Sequence, residues 1–74
     1  MTSRLFHRGY MVSCRAEPLE NGRHQALCVV IAMGGDKTRS QIFLDLEVFD
    51  LPEAALARAA QAGTDWVDAQ LRSI

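Results

Sequence analysis

The continuous apolar run over residues 26–33 constrains the fold of this chain more than any other segment. Successive side chains of a β-strand point to opposite faces of the sheet, so a strand of this composition has an apolar surface on both faces. A single amphipathic helix can cover only one of these faces. The other face therefore predicts a partner, which is either a second copy of the chain or another binding surface.

The residues before this run predict a first strand and a hairpin. From Tyr10 onward apolar and polar residues alternate, until Pro18, which limits ladder pairing and predicts an edge strand. Asn21 and Gly22 are typical of a two-residue type I′ turn, which would place Glu20 opposite Arg23. The apolar run then forms the middle strand. The sequence does not determine which of its two alternating sets of side chains faces the helix.

A third strand is predicted over residues 40–49, after a turn over residues 34–37. Its alternation is the cleanest in the chain, and we expect one set of side chains to face the helix and the other to face away. The expected helix-facing set is Ile42, Leu44, Leu46 and Val48. The expected outward set is Phe43, Asp45, Glu47 and Phe49.

The start of a C-terminal helix is well specified. Asp50 followed three residues later by Glu53 matches a capping box, and Pro52 is tolerated in the first turn. The pattern predicts a helix from Leu51 to about Arg72. Its apolar stripe consists of Leu56, Ala60, Gly63, Val67, Leu71 and Ile74. Gly63 marks either a close contact with the sheet or a break between two helices.

These elements predict an α+β fold, in which a three-stranded antiparallel meander (β-β-β) is covered on one face by one C-terminal helix. Residues 9–74 would form this single domain. Residues 1–8 show no clear hydrophobic periodicity, which predicts a basic N-terminal arm that is free to be mobile. A chain of 74 residues buries only about 60% of the surface that its unfolded form exposes, so self-association would add stability.

The sequence contains no catalytic or metal-binding signature. Cys14 and Cys28 lack the CxxC spacing, and His7 and His24 are not spaced to complete a metal site. The two cysteines are either reduced apolar residues packed in the sheet or a cross-strand disulfide. We therefore expect a non-enzymatic protein without cofactor or metal. The absence of a long apolar segment or a secretory leader indicates a cytoplasmic protein that does not enter a membrane.

Charge is unevenly distributed along the chain. Residues 1–40 contain six basic and three acidic residues, whereas residues 41–74 contain two basic and six acidic residues. Such a dipolar molecule can steer an anionic partner to one end or orient a protein partner, although solvated charges segregated by chance would give the same pattern.

Two binding functions are compatible with these features. The first is a homodimeric protein-interaction module that uses an apolar sheet face or edge, with Phe43, Phe49, Cys28 and Val30 as expected interface residues. The second is a nucleic-acid-binding module, single-stranded in preference to duplex, that uses the basic half of the chain. Its candidate residues are Arg4, Arg8, Arg15, Arg23, His24, Lys37 and Arg39 for phosphates, and Phe6, Tyr10 or Phe43 for stacking on bases.

Residues 9–72 also carry a resemblance. Gly9 and Tyr10 at the first strand, Phe49 before the helix, and Ala59, Ala60 and residues 66–68 along it resemble small uncharacterised bacterial β-β-β-α proteins. The same element order is similar to the N-terminal three-stranded DNA-binding domain of phage-type integrases, which implies duplex recognition by the open sheet. Asp45 and Glu47 depart from that pattern, because acids beside the arginines would repel phosphates.

Overall fold

The computed structural model describes residues 1–33 and 40–72, which form one antiparallel sheet covered by one helix. The elements are β1 (Thr2–His7), β2 (Tyr10–Pro18), β3 (His24–Ala32), β4 (Ser40–Phe43), β5 (Val48–Phe49) and α1 (Pro52–Arg72). The strand order is β1-β2-β3-β4, and the short β5 also pairs with β3. The predicted α+β class, a meander followed by a C-terminal helix, is confirmed.

The N-terminal residues form a strand rather than the separate arm that the sequence predicts. β1 pairs with β2 over its whole length. Arg8 and Gly9 connect the two strands, and both have positive φ, 53° and 86°. Two such residues make a type I′ turn, whose twist matches that of the strands. Because β1 occupies the edge, β2 is an internal strand, and the edge position predicted from Pro18 is wrong.

The hairpin between β2 and β3 lies where the sequence predicts it but has a different turn. Among its residues only Gly22 has positive φ, 80°. The Leu19 N–H donates to the Arg23 carbonyl at 2.8 Å, and the Gly22 N–H donates to the Leu19 carbonyl at 3.1 Å. The loop therefore has three residues and places Leu19, not Glu20, opposite Arg23. A type I turn closed by a left-handed glycine is the usual form of such a loop.

The predicted third strand is interrupted. Phe43 lies opposite Cys28, whereas Val48 lies opposite Gln25. Cys28 and Gln25 are three residues apart on β3, whereas their partners Phe43 and Val48 are five residues apart. The segment between β4 and β5 therefore contains two extra residues, which form a bulge. The Gln25 side-chain amide donates to the carbonyl of Leu46, which helps to hold this bulge.

The faces predicted for this segment are reversed. Phe43 and Phe49 are partly buried and pack against the core beneath the helix. Ile42 and Leu44 are 56% and 65% exposed. The reason is the register, because Phe43 shares the helix-covered face with its partner Cys28. Leu46 is the exception, since it packs against the core as predicted.

The helix runs without a break from Pro52 to Arg72, so the alternative of two helices meeting at Gly63 is wrong. The other alternative, a close contact, is correct. A Cβ atom added at Gly63 would lie 2.4 Å from Cγ1 of Val12 and 2.9 Å from Sγ of Cys28. Glycine is therefore required where the helix crosses β2 and β3. Of the predicted apolar stripe, Ile74 lies outside the described residues.

Candidate interaction surface

The core beneath the helix is built from small side chains. The largest fully buried ones are Val12, Val30, Val67, Cys14 and Cys28. The remaining buried residues are Tyr10, Gly63 and alanines at positions 16, 26, 55, 59 and 62. Such a core contributes little apolar area per residue, because burial free energy scales with the area removed from water.

The bulkier apolar residues of β3 lie on the opposite face of the sheet. Ala26, Cys28 and Val30 alternate into the core, so Leu27, Val29 and Ile31 point away from the helix and are only partly buried. The sequence left this choice open. Close approach of the helix at Gly63 settles it, since small residues must line the contact.

We define the open face as the side of the sheet that the helix does not cover. Cross-strand register joins Phe6 to Met11 and Met11 to Ile31, and it joins Val29 to Ile42. Phe6 and Ile42 are 72% and 56% exposed. The residues of the open face are Thr2, Arg4, Phe6, Met11, Ser13, Arg15, Glu17, Gln25, Leu27, Val29, Ile31, Ser40, Ile42, Leu44 and Val48. Its large apolar residues lie mainly on β3 and β4, and its polar residues lie mainly on β1 and β2.

A groove of about 400 Å³ crosses the open face. The large apolar side chains along it are Leu27, Val29 and Leu44, and Thr2, Ser13 and Arg15 line its polar side. Leu44 is 65% exposed although it borders this groove. The groove thus gives the open face a concave apolar strip beside a polar margin.

The interface residues predicted from the sequence are not on this face. Cys28 and Val30 are 1% and 0% exposed beneath the helix, and Phe43 and Phe49 pack against the same core. Phe43 and Phe49 lie beneath the helix because the faces of the third strand are the reverse of those predicted, and of the two sets left open for β3 the one with Cys28 and Val30 faces the helix. The open face instead presents Leu27 and Val29 of β3, together with Ile42, which the alternation predicts to face the helix.

The predicted nucleic-acid residues are dispersed. Arg4, Phe6 and Arg15 share the open face. Tyr10 is 5% exposed, and its ring packs edge-on against Trp66 at a centroid distance of 5.9 Å, so it is not available for stacking on a base. His24 lies opposite Phe49 on the helix-covered side. Lys37 and Arg39 lie outside the described residues.

Several arginines of this set already contact carboxylates. The Arg8 guanidinium lies 3.0 Å from Asp68, and that of Arg23 lies 3.0 Å from Asp50. Arg15 lies 2.6 Å from its neighbour on the same face, Glu17. These exposed pairs contribute little to stability, but each one reduces the positive charge presented to a phosphate backbone.

The two acids that weigh against nucleic acid, Asp45 and Glu47, both lie in the bulged segment between β4 and β5. Glu47 turns to the helix, where its carboxylate accepts a hydrogen bond from Arg58 at 2.6 Å. Asp45 is exposed in the segment between β4 and β5 and belongs to neither strand. The expected pair on one strand face is therefore absent from the described structure.

A polar cluster at the far end of the sheet ties the first hairpin to the helix. One carboxylate oxygen of Asp68 accepts hydrogen bonds from His7 at 2.9 Å and from Arg8 at 3.0 Å. Both hydrogen bonds lower the pKa of Asp68, and the one from His7 has the larger effect. The cluster connects residues about 60 positions apart in the chain, and it helps to fix β1 against α1.

Asp68→Asn should lower the thermal midpoint slightly at neutral pH, because the pairs it breaks are exposed. A carboxyl whose pKa is lower in the folded state stabilises the fold above its unfolded value of about 3.9, and this contribution is lost as the pH falls through the folded value. The difference from the unmodified chain should therefore shrink on acidification from pH 5 to about pH 2. Thermal melts across this range measure it, with Asp65→Asn, one turn away on the same helix, as the matched control. An equal loss at every pH would contradict the pairing.

No group of three or more metal-ligating side chains occurs in residues 1–33 and 40–72. Within the same ranges, no helix is long and apolar enough to cross a membrane. Comparisons with protein-family models, curated sequences and solved structures found no match to this chain.

Proposed function

We propose that this chain is a small non-enzymatic protein-interaction module that forms a homodimer through its open face. The observation that supports this most strongly is the distribution of apolar bulk in β3. Leu27, Val29 and Ile31 point away from the chain's own helix, while the smaller Ala26 and Cys28 fill the core. A chain that left this face in water would keep these three side chains only partly buried.

The geometry suits packing of one sheet on another. Two sheets stack face to face at about 10 Å, with the side chains of their inner faces interdigitated. A second copy offers an apolar patch of the same size and shape, as an isologous interface requires. The product would have four layers, helix, sheet, sheet and helix, and each sheet would then be covered on both faces.

The charge of the open face favours a second copy over nucleic acid. In the described part of the face, Arg15 is paired with Glu17 and Arg4 is the remaining cation, so the net charge is close to neutral. A nearly neutral apolar surface pays little electrostatic penalty when it meets itself. A phosphate backbone requires several cations for useful affinity at physiological salt.

A single-strand-binding function is the second candidate, and it has one supporting observation. Arg4 and Phe6 are two residues apart on β1, so a cation and a 72% exposed aromatic ring lie side by side on the open face. Such a pair could contact a phosphate and stack on a base. Arg15, in the same face, would add to the positive side of the groove.

Sedimentation equilibrium, with and without a labelled single-stranded oligonucleotide, distinguishes the two candidates. The proposal predicts a mass approaching twice 8.2 kDa at micromolar concentration and no oligonucleotide in the sedimenting species. A monomer at every concentration would contradict it. A monomer that takes up oligonucleotide at low salt and releases it at high salt would favour the second candidate.

The two free thiols fit this proposal in one further respect. Cys14 and Cys28 are both reduced in the structure, as is usual for proteins of the cytoplasm. We include cytoplasmic location in the proposal for this reason. The partner that such a dimer would in turn bind is left open.

A further inference from the structure

Cys14 and Cys28 are direct cross-strand neighbours beneath the helix. They are Cα partners in the register of β2 and β3, and each is 1% exposed. Both side chains point to the covered face together with Val12 and Val30. The two thiols are therefore adjacent to each other in the core, so that chemistry at one sulfur can involve the other.

The hydrogen-bond pattern shows which kind of antiparallel pair they form. At one end of the β2–β3 ladder the Met33 N–H donates to the Gly9 carbonyl, and at the other end the Leu19 N–H donates to the Arg23 carbonyl. Hydrogen-bonded and non-hydrogen-bonded pairs alternate between these ends, so the hydrogen-bonded pairs contain the odd-numbered residues of β2. Cys14 is an even residue and therefore belongs to a non-hydrogen-bonded pair. In such pairs the Cα atoms lie about 4.5 Å apart, which is within the range that a disulfide spans.

The polar contacts of the pair favour a thiolate on one sulfur. Cys14 lies between two cross-strand neighbours that can donate to its sulfur, the thiol of Cys28 on β3 and the hydroxyl of Ser3 on β1. These contacts lower the pKa of Cys14, although burial opposes them, and the role of donor raises the pKa of Cys28. A thiolate is the nucleophilic form of cysteine.

We propose that Cys14 and Cys28 are a modification site, at which hydrogen peroxide converts the two thiols into a cross-strand disulfide. The Cys14 thiolate attacks the O–O bond, which breaks to leave a sulfenic acid on Cys14 and hydroxide. The Cys28 sulfur then attacks Sγ of Cys14, the S–S bond forms, and the sulfenic oxygen leaves as water with the proton of Cys28. Two thiols are oxidised and one peroxide is reduced to water.

The site lies beneath Gly63, where the helix approaches the sheet closely. Sγ of Cys28 is one of the atoms within 3 Å of the Cβ position at Gly63. Contraction of the two sulfurs to bonding distance changes the surface on which the helix rests. The disulfide would also close the hairpin between β2 and β3, and this should raise the thermal midpoint by about 10 °C.

The test treats the full reduced chain with hydrogen peroxide, then unfolds it, alkylates the free thiols and measures the intact mass. The expected product has lost two hydrogens, accepts no alkyl group, and regains both thiols with dithiothreitol. Cys14→Ala and Cys28→Ala should give no such product. Ser3→Ala, a change at an exposed residue, should slow the reaction severalfold and leave the fold intact.

Three outcomes would overturn the proposal. One is a folded protein whose two thiols both remain open to alkylation after peroxide treatment. The second is a mass gain from added oxygen in place of the loss of hydrogen. The third is a disulfide that links two chains and leaves the partner cysteine of each free. The loss of two hydrogens with unchanged reaction rate in Ser3→Ala would overturn the role given to that hydroxyl.

Discussion

Ile42→Glu will weaken the dimer by about 100-fold or more. Ile42 is 56% exposed on the open face, opposite Val29. Burying a large apolar side chain contributes about 1.5 to 3 kcal/mol, and a two-fold interface contains the residue twice. The loss of about 3 kcal/mol or more corresponds to at least a factor of about 100 in Kd, and a buried unpaired carboxylate would add to it.

The matched control is Leu51→Glu. Leu51 is 62% exposed, so the change removes a similar amount of apolar surface, but the residue lies beside the start of the helix and not on the open face. Sedimentation should give a monomer for Ile42→Glu and a dimer for Leu51→Glu, with both chains folded by circular dichroism. Equal dissociation constants for the two variants would contradict the assignment of the interface.

Gly63→Leu will destabilise the fold by about 3 kcal/mol or more, a large part of the stability of a chain this size. The first added atom would already lie 2.4 Å from Val12 and 2.9 Å from Cys28. The helix can accept the side chain only by moving away from the sheet, because both contacts are with short, buried side chains. Gly63→Ala should cost less, about 1 to 2 kcal/mol.

The sign of the alanine change separates packing from helix propensity. Alanine is about 1 kcal/mol better than glycine inside a helix, so propensity alone predicts that Gly63→Ala stabilises. Ala57→Gly, at an exposed position of the same helix, should destabilise by about the same amount. Urea unfolding should therefore show a loss of stability in both variants. A gain in Gly63→Ala would mean that the helix does not approach β2 and β3 as closely as described. Val12→Ala combined with Gly63→Ala should cost less than the sum of the two.

Much of the fold could be predicted because local pattern and global packing agree. Tyr10, Val12 and Cys14 alternate into the core as their spacing predicts, and the helix begins at Pro52, one residue after the predicted start. The predicted capping role of Asp50 is wrong, because the first helical bond runs from the Ala55 N–H to the Leu51 carbonyl and the Asp50 carboxylate accepts from Arg23. The glycine at position 63 predicts the close contact that the structure shows. In these successful cases one local signal, a period or a glycine, was sufficient.

The errors have two physical origins, one an unusual local backbone conformation and the other a non-local choice of face. β1 was missed because its turn uses Arg8 in a left-handed conformation, which few non-glycine residues adopt. The faces of the third strand were reversed because alternation states which residues share a face, but not which face meets the helix. The small size of the residues around Gly63 was the available clue, since close approach requires Ala26 and Cys28 beneath the helix.

The most direct test of the central claim is an isotope-filtered NOE measurement on a mixture of labelled and unlabelled protein, which detects contacts between chains only. We expect intermolecular contacts among the methyl groups of Leu27, Val29 and Ile42, and from these to the ring of Phe6. Contacts between chains that arise from the outer surface of the helix, or the absence of any such contacts at a concentration where the mass is that of a dimer, would contradict it.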